Sequence, residues 1–84
     1  MTLNIKVLGP GCANCANLEK NARAAVAQLG IDAVVEKVTS YADFARYGLL
    51  YTPGLVVNEK LVSAGRVPTP AEITTLLANV LAAS

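Results

Sequence analysis

The chain has no histidine and no tryptophan, and Cys12 and Cys15 are its only cysteines. Without histidine, no imidazole can serve as base, metal ligand or proton shuttle. Two cysteines exclude a four-thiolate zinc or iron–sulfur site within one copy, although two copies could share one. A disulfide between them would close so small a loop that it adds little as a crosslink. Charge is scarce too: Asp, Glu, Lys and Arg make up 15% of the residues, against roughly 25% in ordinary domains. The formal net charge is +1, which gives no basic field for nucleic acid or an anionic membrane. No apolar run reaches the ~18 residues of a membrane-spanning helix. Met1–Lys6 lacks a basic stretch followed by an apolar one, so no signal peptide is expected. The expected location is the cytoplasm, where a Cys-x-x-Cys pair serves redox chemistry or metal binding more often than permanent crosslinking.

What is present is apolar. Hydrophobic residues make up 54% of the 84 positions, which marks a folded chain rather than a disordered one. The length predicts one domain, residues 1–84. A chain of this size buries roughly 60–65% of the surface that its unfolded form exposes.

Periodicity divides the chain. Leu3, Ile5 and Val7 alternate with Asn4 and Lys6, a strand pattern, broken by Gly9-Pro10-Gly11. Cys12, Cys15, Leu18, Ala22, Ala25, Val26 and Leu29 then recur at helical spacing, and Gly30 ends that helix. Ile31 to Val38 reads as a second strand. Ser40 and Asp43 suggest a variant capping box for a short helix through Tyr47, stopped by Gly48. Tyr41, Phe44 and Tyr47 are expected to pack that helix. Leu55-Val56-Val57 and Lys60–Ala64 flank Asn58-Glu59 as a hairpin, although Glu59 stands where glycine is favoured. Thr69, Pro70 and Glu72 combine an N-cap, a first-turn proline and a capping glutamate. Ile73, Leu76, Leu77, Val80 and Leu81 give the last helix one apolar face.

The predicted order is βαβαββα: an α/β fold with a four-stranded mixed sheet flanked by three helices, and a parallel first βαβ unit. The cysteines fall between the first strand and first helix. Cys12 should sit at the helix mouth and Cys15 on its buried stripe. Unpaired N–H groups of a first helical turn favour a thiolate there, so the helix terminus is the expected main cause of Cys12 activation. Lys6 is the nearest cation in sequence, with a strand phase that the pattern leaves open.

Val7–Cys15 with the motif residues Gly11, Cys12, Ala13, Asn14 and Cys15, together with Tyr51–Val57 and Ser63–Pro68, resembles the small prokaryotic thioredoxin-like redox-active disulfide proteins. The short N-terminus is glutaredoxin-like, and the resemblance covers nearly the whole chain. It implies a thioredoxin fold and a thiol–disulfide oxidoreductase active on disulfides in partner proteins. Cys12 would be the nucleophile and Cys15 the resolving thiol. Pro53 would match the family's cis-proline facing the dithiol, with Thr52 offering its backbone to a substrate segment and Tyr51 lining the groove. No cofactor beyond a Cys12–Cys15 disulfide is implied. The electron donor would be a reductase or a low-molecular-weight thiol, and the chain a monomer or weak dimer. The chain departs from its models in places. The Trp-Cys-Gly-Pro-Cys of thioredoxin is absent, and Gly9 stands where many glutaredoxins carry a basic residue for glutathione.

Rival readings share the same cysteines. A heavy-metal-associated module also places Cys-x-x-Cys after its first strand, and two thiolates suit Cu(I) or a shared Zn, for binding or for delivery by a metal chaperone. Such modules run βαββαβ and end in a strand, whereas this chain ends in a patterned helix. A non-catalytic adaptor is a third class. Pro53 as a simple strand-entry residue, and Arg66 as a solvated loop charge rather than an anion anchor, are the plainer alternatives.

Overall fold

The computed structural model describes residues 2–83. Its elements run β1 (Leu3–Leu8), α1 (Ala13–Leu29), β2 (Ala33–Val38), α2 (Tyr41–Arg46), β3 (Gly54–Val57), β4 (Lys60–Ala64) and α3 (Pro70–Ala83), the expected βαβαββα order. The four strands form one mixed sheet in the order β2-β1-β3-β4. β1 lies parallel to β2, with Ile5 beside Val35, and antiparallel to β3, with Val7 beside Leu55.

Alternation along the strands feeds two cores, because successive side chains leave a sheet on opposite faces. Leu3, Ile5 and Val7 of β1 and Leu55 and Val57 of β3 meet Leu18, Ala22 and Ala25 of α1 and Ile73 and Leu77 of α3. Leu8 and Val56 point the other way, against Phe44 of α2 and Leu49. The small residues Ala22 and Ala25 let α1 lie close to the sheet and to α3.

The second strand starts at Ala33, two residues later than the pattern suggests. Gly30 adopts the left-handed conformation and closes α1 by donating to the Val26 and Ala27 carbonyls. Ile31 and Asp32 then carry the chain back to the sheet, where the Asp32 carbonyl accepts from Leu3 N–H. Ser40 precedes α2, yet its side chain makes no capping bond; its backbone carbonyl accepts from Asp43 and Phe44 instead. Asp43 reaches toward Arg46 at 3.8 Å. The box at α3 does form, with Glu72 N–H donating to Thr69 Oγ1 and Thr69 N–H donating to Glu72.

The hairpin turn resolves the oddity of Glu59. Asn58 and Glu59 both have positive φ, as a type I′ turn demands. The cost of a non-glycine residue there is offset by what the Glu59 side chain reaches. It pairs with Lys6 at 2.8 Å and accepts from the Tyr47 hydroxyl. Opposite Leu55 and Val56 the β3–β4 register slips by one residue, which leaves Val62 as a bulge.

Candidate functional site

The C-terminal end of β1 delivers the chain to Gly9-Pro10-Gly11, and Cys12 is the N-cap residue of α1, with extended backbone. Cys15 lies one turn further on, facing the sheet. Cys12 is exposed and Cys15 only 7% so. Both are thiols, and their sulfurs share a hydrogen bond of 2.7 Å.

This geometry makes the two thiols unequal. The Cys12 thiol is held below its ordinary value first by the hydrogen bond from Cys15, then by the backbone N–H groups of Cys15 and Asn14. The Cys12 side chain makes no full capping bond, so those N–H groups help as nearby dipoles at the helix mouth. The neighbouring thiol, rather than the helix terminus expected from the sequence, is therefore the first cause. Burial pushes the Cys15 thiol up, and its hydrogen bond to Cys12 pushes the same way. A thiolate is the nucleophile in disulfide exchange, so the reachable sulfur is also the one predisposed to ionise.

Lys6 takes no part. It lies on the opposite face of β1 from Val7, where it donates to the Tyr47 hydroxyl at 2.8 Å and pairs with Glu59. Those two partners, Glu59 first, raise its basicity. A different lysine lines the recess beside Cys12 and Cys15: Lys37, near the end of β2, together with Val7, Ala16 and Thr39. Sequence distance hides it. The parallel pairing of β2 with β1 brings it there, and Gly9 N–H donates to the Val38 carbonyl at the same end. Lys37 is already engaged by Glu19 at 3.4 Å.

Pro53 adjoins Gly9, as Cys15 does, with its Cβ 4.0 Å from where a Gly9 Cβ would stand, and the Thr52–Pro53 peptide bond is cis. The Pro53 carbonyl accepts from Gly65 N–H at 2.9 Å, so Pro53 is tied to the end of β4. Pro53 is buried, while Thr52 and Tyr51 are exposed, Tyr51 by 73%. Among the described residues no backbone–backbone bond engages Thr52, which leaves its polar groups open. Gly11, Ala13 and Asn14 are exposed around Cys12. Arg66 is not free: it pairs with Glu72 at 2.7 Å.

Gly9 is the position that sequence reasoning undervalued. A Cβ there would overlap the Cys15 sulfur and come within 4.0 Å of Pro53 Cβ. This glycine is what lets the helix turn bring Cys15 against the strand end. The signal was present as a glycine before Pro10, where it reads as a chain breaker. The same crowding explains why no basic side chain stands at that position.

The recess beside the dithiol is about 50 Å³, far below the ≈ 300–1,000 Å³ of small-molecule sites. Cys12 is thus presented at the surface rather than inside an enclosed pocket. Among the described residues, no third His, Cys, Asp or Glu joins them as a metal-binding group, and no helix is long and apolar enough to cross a membrane.

Comparison with known proteins agrees with this geometry. Residues 3–78 match the family model described as a thioredoxin domain. The chain is 47% identical over 75 residues to a thioredoxin of Methanothermobacter thermautotrophicus, covering 89% of this chain and 97% of that protein. It is 36% identical over 69 residues to a thioredoxin of Methanocaldococcus jannaschii, covering 82% of this chain and 79% of that one. With strand order, dithiol placement and both relatives in agreement, the chain belongs to the thioredoxin domain family.

Proposed function

We propose that this protein is a thiol–disulfide oxidoreductase that exchanges its Cys12–Cys15 dithiol with disulfides in partner proteins. The observation that carries the reading is the inequality of the two thiols. An exposed sulfur predisposed to ionise lies 2.7 Å from a buried one that resists ionisation.

In the reducing direction, the Cys12 thiolate attacks one sulfur of the partner disulfide. A Cys12–partner bond forms, and the partner's other sulfur leaves as a thiolate and takes up a proton. Cys12 no longer carries charge, so Cys15 loses the partner to which it donated. Its own proton then leaves, and its thiolate attacks the Cys12 sulfur. The second partner sulfur departs and is protonated. Two electrons pass to the partner, the dithiol becomes a disulfide, and the two protons end on the partner's thiols. Burial of Cys15 delays its ionisation until the mixed disulfide exists, which separates the roles. Thr52, Pro53 and Tyr51 form the surface opposite, where an extended partner segment lies with Thr52 offering its backbone. A reductase or small thiol returns the electrons. The names of the two thioredoxin relatives support this reaction class.

Trapping tests the assignment. Cys15→Ser should accumulate mixed disulfides with cell proteins, resolved on non-reducing gels, because nothing remains to release the partner. Cys12→Ser should trap none. Equal trapping by both variants would reverse or abolish the division of roles.

A further inference from the structure

Away from the cysteines, a groove of about 540 Å³ runs between β4 and α3, and it shares no lining residue with the recess beside the dithiol. Its volume falls within the roughly 300–1,000 Å³ of small-molecule sites, which are mostly apolar with a few placed polar groups. Val57, Val62, Leu76 and Val80 supply an apolar wall, and Lys60 and Asn79 bring polar groups to it. The fold explains why a lysine stands there. Lys60 pairs with Val57 across the β3–β4 ladder, and cross-strand partners share a face of the sheet. Val57 packs in the larger core with Ile73 and Leu77 of α3, so Lys60 stands on the α3 side.

Charge decides what fits. The adjacent acid, Glu59, is turned to the other face, where Lys6 and Tyr47 hold it. Among the described residues, the Lys60 ammonium has no ion pair or hydrogen-bond partner, and no acid lines the groove. Past Val62 and Leu76 the groove continues to a recess where Arg66 and Glu72 pair at 2.7 Å and satisfy each other. An occupant therefore meets an unpaired positive charge at the Lys60 end and apolar side chains along its length. A protein strand suits this groove poorly. β4 has five residues, and the bulge at Val62 interrupts the outer ladder that an added strand needs.

We propose that the β4–α3 groove binds a small amphipathic carboxylate, with its aliphatic tail along Val62, Leu76 and Val80 and its carboxylate on Lys60. Asn79, lining the same groove, adds an amide that can donate to the anion. The site is separate from the dithiol, so the proposal does not rest on the oxidoreductase reading. An exposed lysine–carboxylate pair contributes up to about fivefold in affinity, and the tail contributes the remainder by leaving water.

Monomeric decanoate titrated into the isotope-labelled protein and followed by NMR tests it, with decylamine as a probe of similar tail and opposite charge. Decanoate should shift the amide signals of Val62, Leu76 and Val80 and bind more tightly than decylamine. Lys60 is exposed, so its variants leave the core intact. Lys60→Gln should weaken decanoate by about fivefold. Lys60→Arg should keep its affinity, and Lys60→Glu should reverse the order of the two probes. Binding of neither probe, equal affinity for both, shifts confined to other residues, or decanoate affinity unmoved by Lys60→Glu overturns the proposal. So does a dimer in light scattering whose groove signals follow protein concentration and not decanoate, which would assign this face to a second copy.

Discussion

Cys12 and Cys15 differ through their surroundings alone, since both are unremarkable thiols in an unfolded chain. With the Cys12 value lowered, its thiolate persists to lower pH than that of a free cysteine, whose value is about 8.5. Alkylation by iodoacetamide, followed against pH, should therefore rise for Cys12 through a midpoint below that of a free cysteine and for Cys15 through one above it. The Cys15 thiol is the first cause of the lowering, so Cys15→Ala should move the Cys12 midpoint upward. An unmoved midpoint would return the credit to the helix terminus. Gly9 acts at the same scale by having no side chain. Gly9→Ala forces a methyl into the Cys15 sulfur, an overpacking that costs about 1–3 kcal/mol. Urea unfolding of the reduced protein should show that loss, and closure of the disulfide should slow as Cys15 is displaced.

Each element is stopped and started by chemistry that differs in how plainly it is written. The Thr69–Glu72 box opens α3 through reciprocal bonds, with Glu72 held also by Arg66. Thr69→Ala removes the acceptor for Glu72 N–H and should destabilise the protein by about 1 kcal/mol in urea titration. The Ser40–Asp43 pair has the same outward signature but no side-chain bond, because backbone carbonyl contacts already serve the first turn of a six-residue helix. β2 is an edge strand, and Arg23 of α1 donates to its Val35 carbonyl at 3.2 Å. That contact caps an outward-facing group which would otherwise be open to pairing with another chain. Glu59 shows an element choosing against local propensity: the turn favours glycine, while Lys6 and Tyr47 favour the carboxylate.

Across the whole molecule, one face of the sheet carries the larger core and sets the position of α1, and α1 sets the cysteines. Leu77 of α3 is fully buried in that core. Leu77→Ala should cost about 2–5 kcal/mol, read as a fall in the thermal or urea midpoint. The dithiol sits where β1 ends beside the end of β2, which brings Lys37 to line its recess, while Pro53 just before β3 is tied to Gly65 just after β4.

Much of this was legible in the amino-acid order. Period-two alternation in Leu3–Val7, period-3.6 spacing from Cys15 to Leu29, and the Thr69-Pro70-Ala71-Glu72 cap are local signals, because local sterics and backbone hydrogen bonding generate them. They determined the element order, the unequal burial of Cys12 and Cys15, and the exclusion of imidazole chemistry. Other features needed the folded chain because they are contacts between distant segments. Lys6 turned away to Tyr47 and Glu59 while Lys37 came to line the recess beside the dithiol, since strand phase and parallel pairing, not sequence distance, decide which residues meet there. Gly9 became a contact surface for Cys15 only once α1 folded back on β1. The lowered Cys12 value was traced to Cys15 before the helix terminus, because a hydrogen bond between two side chains depends on their final placement. The sequence alone placed two thiols at a helix mouth; tertiary packing decided which groups surround them and in what order those groups act.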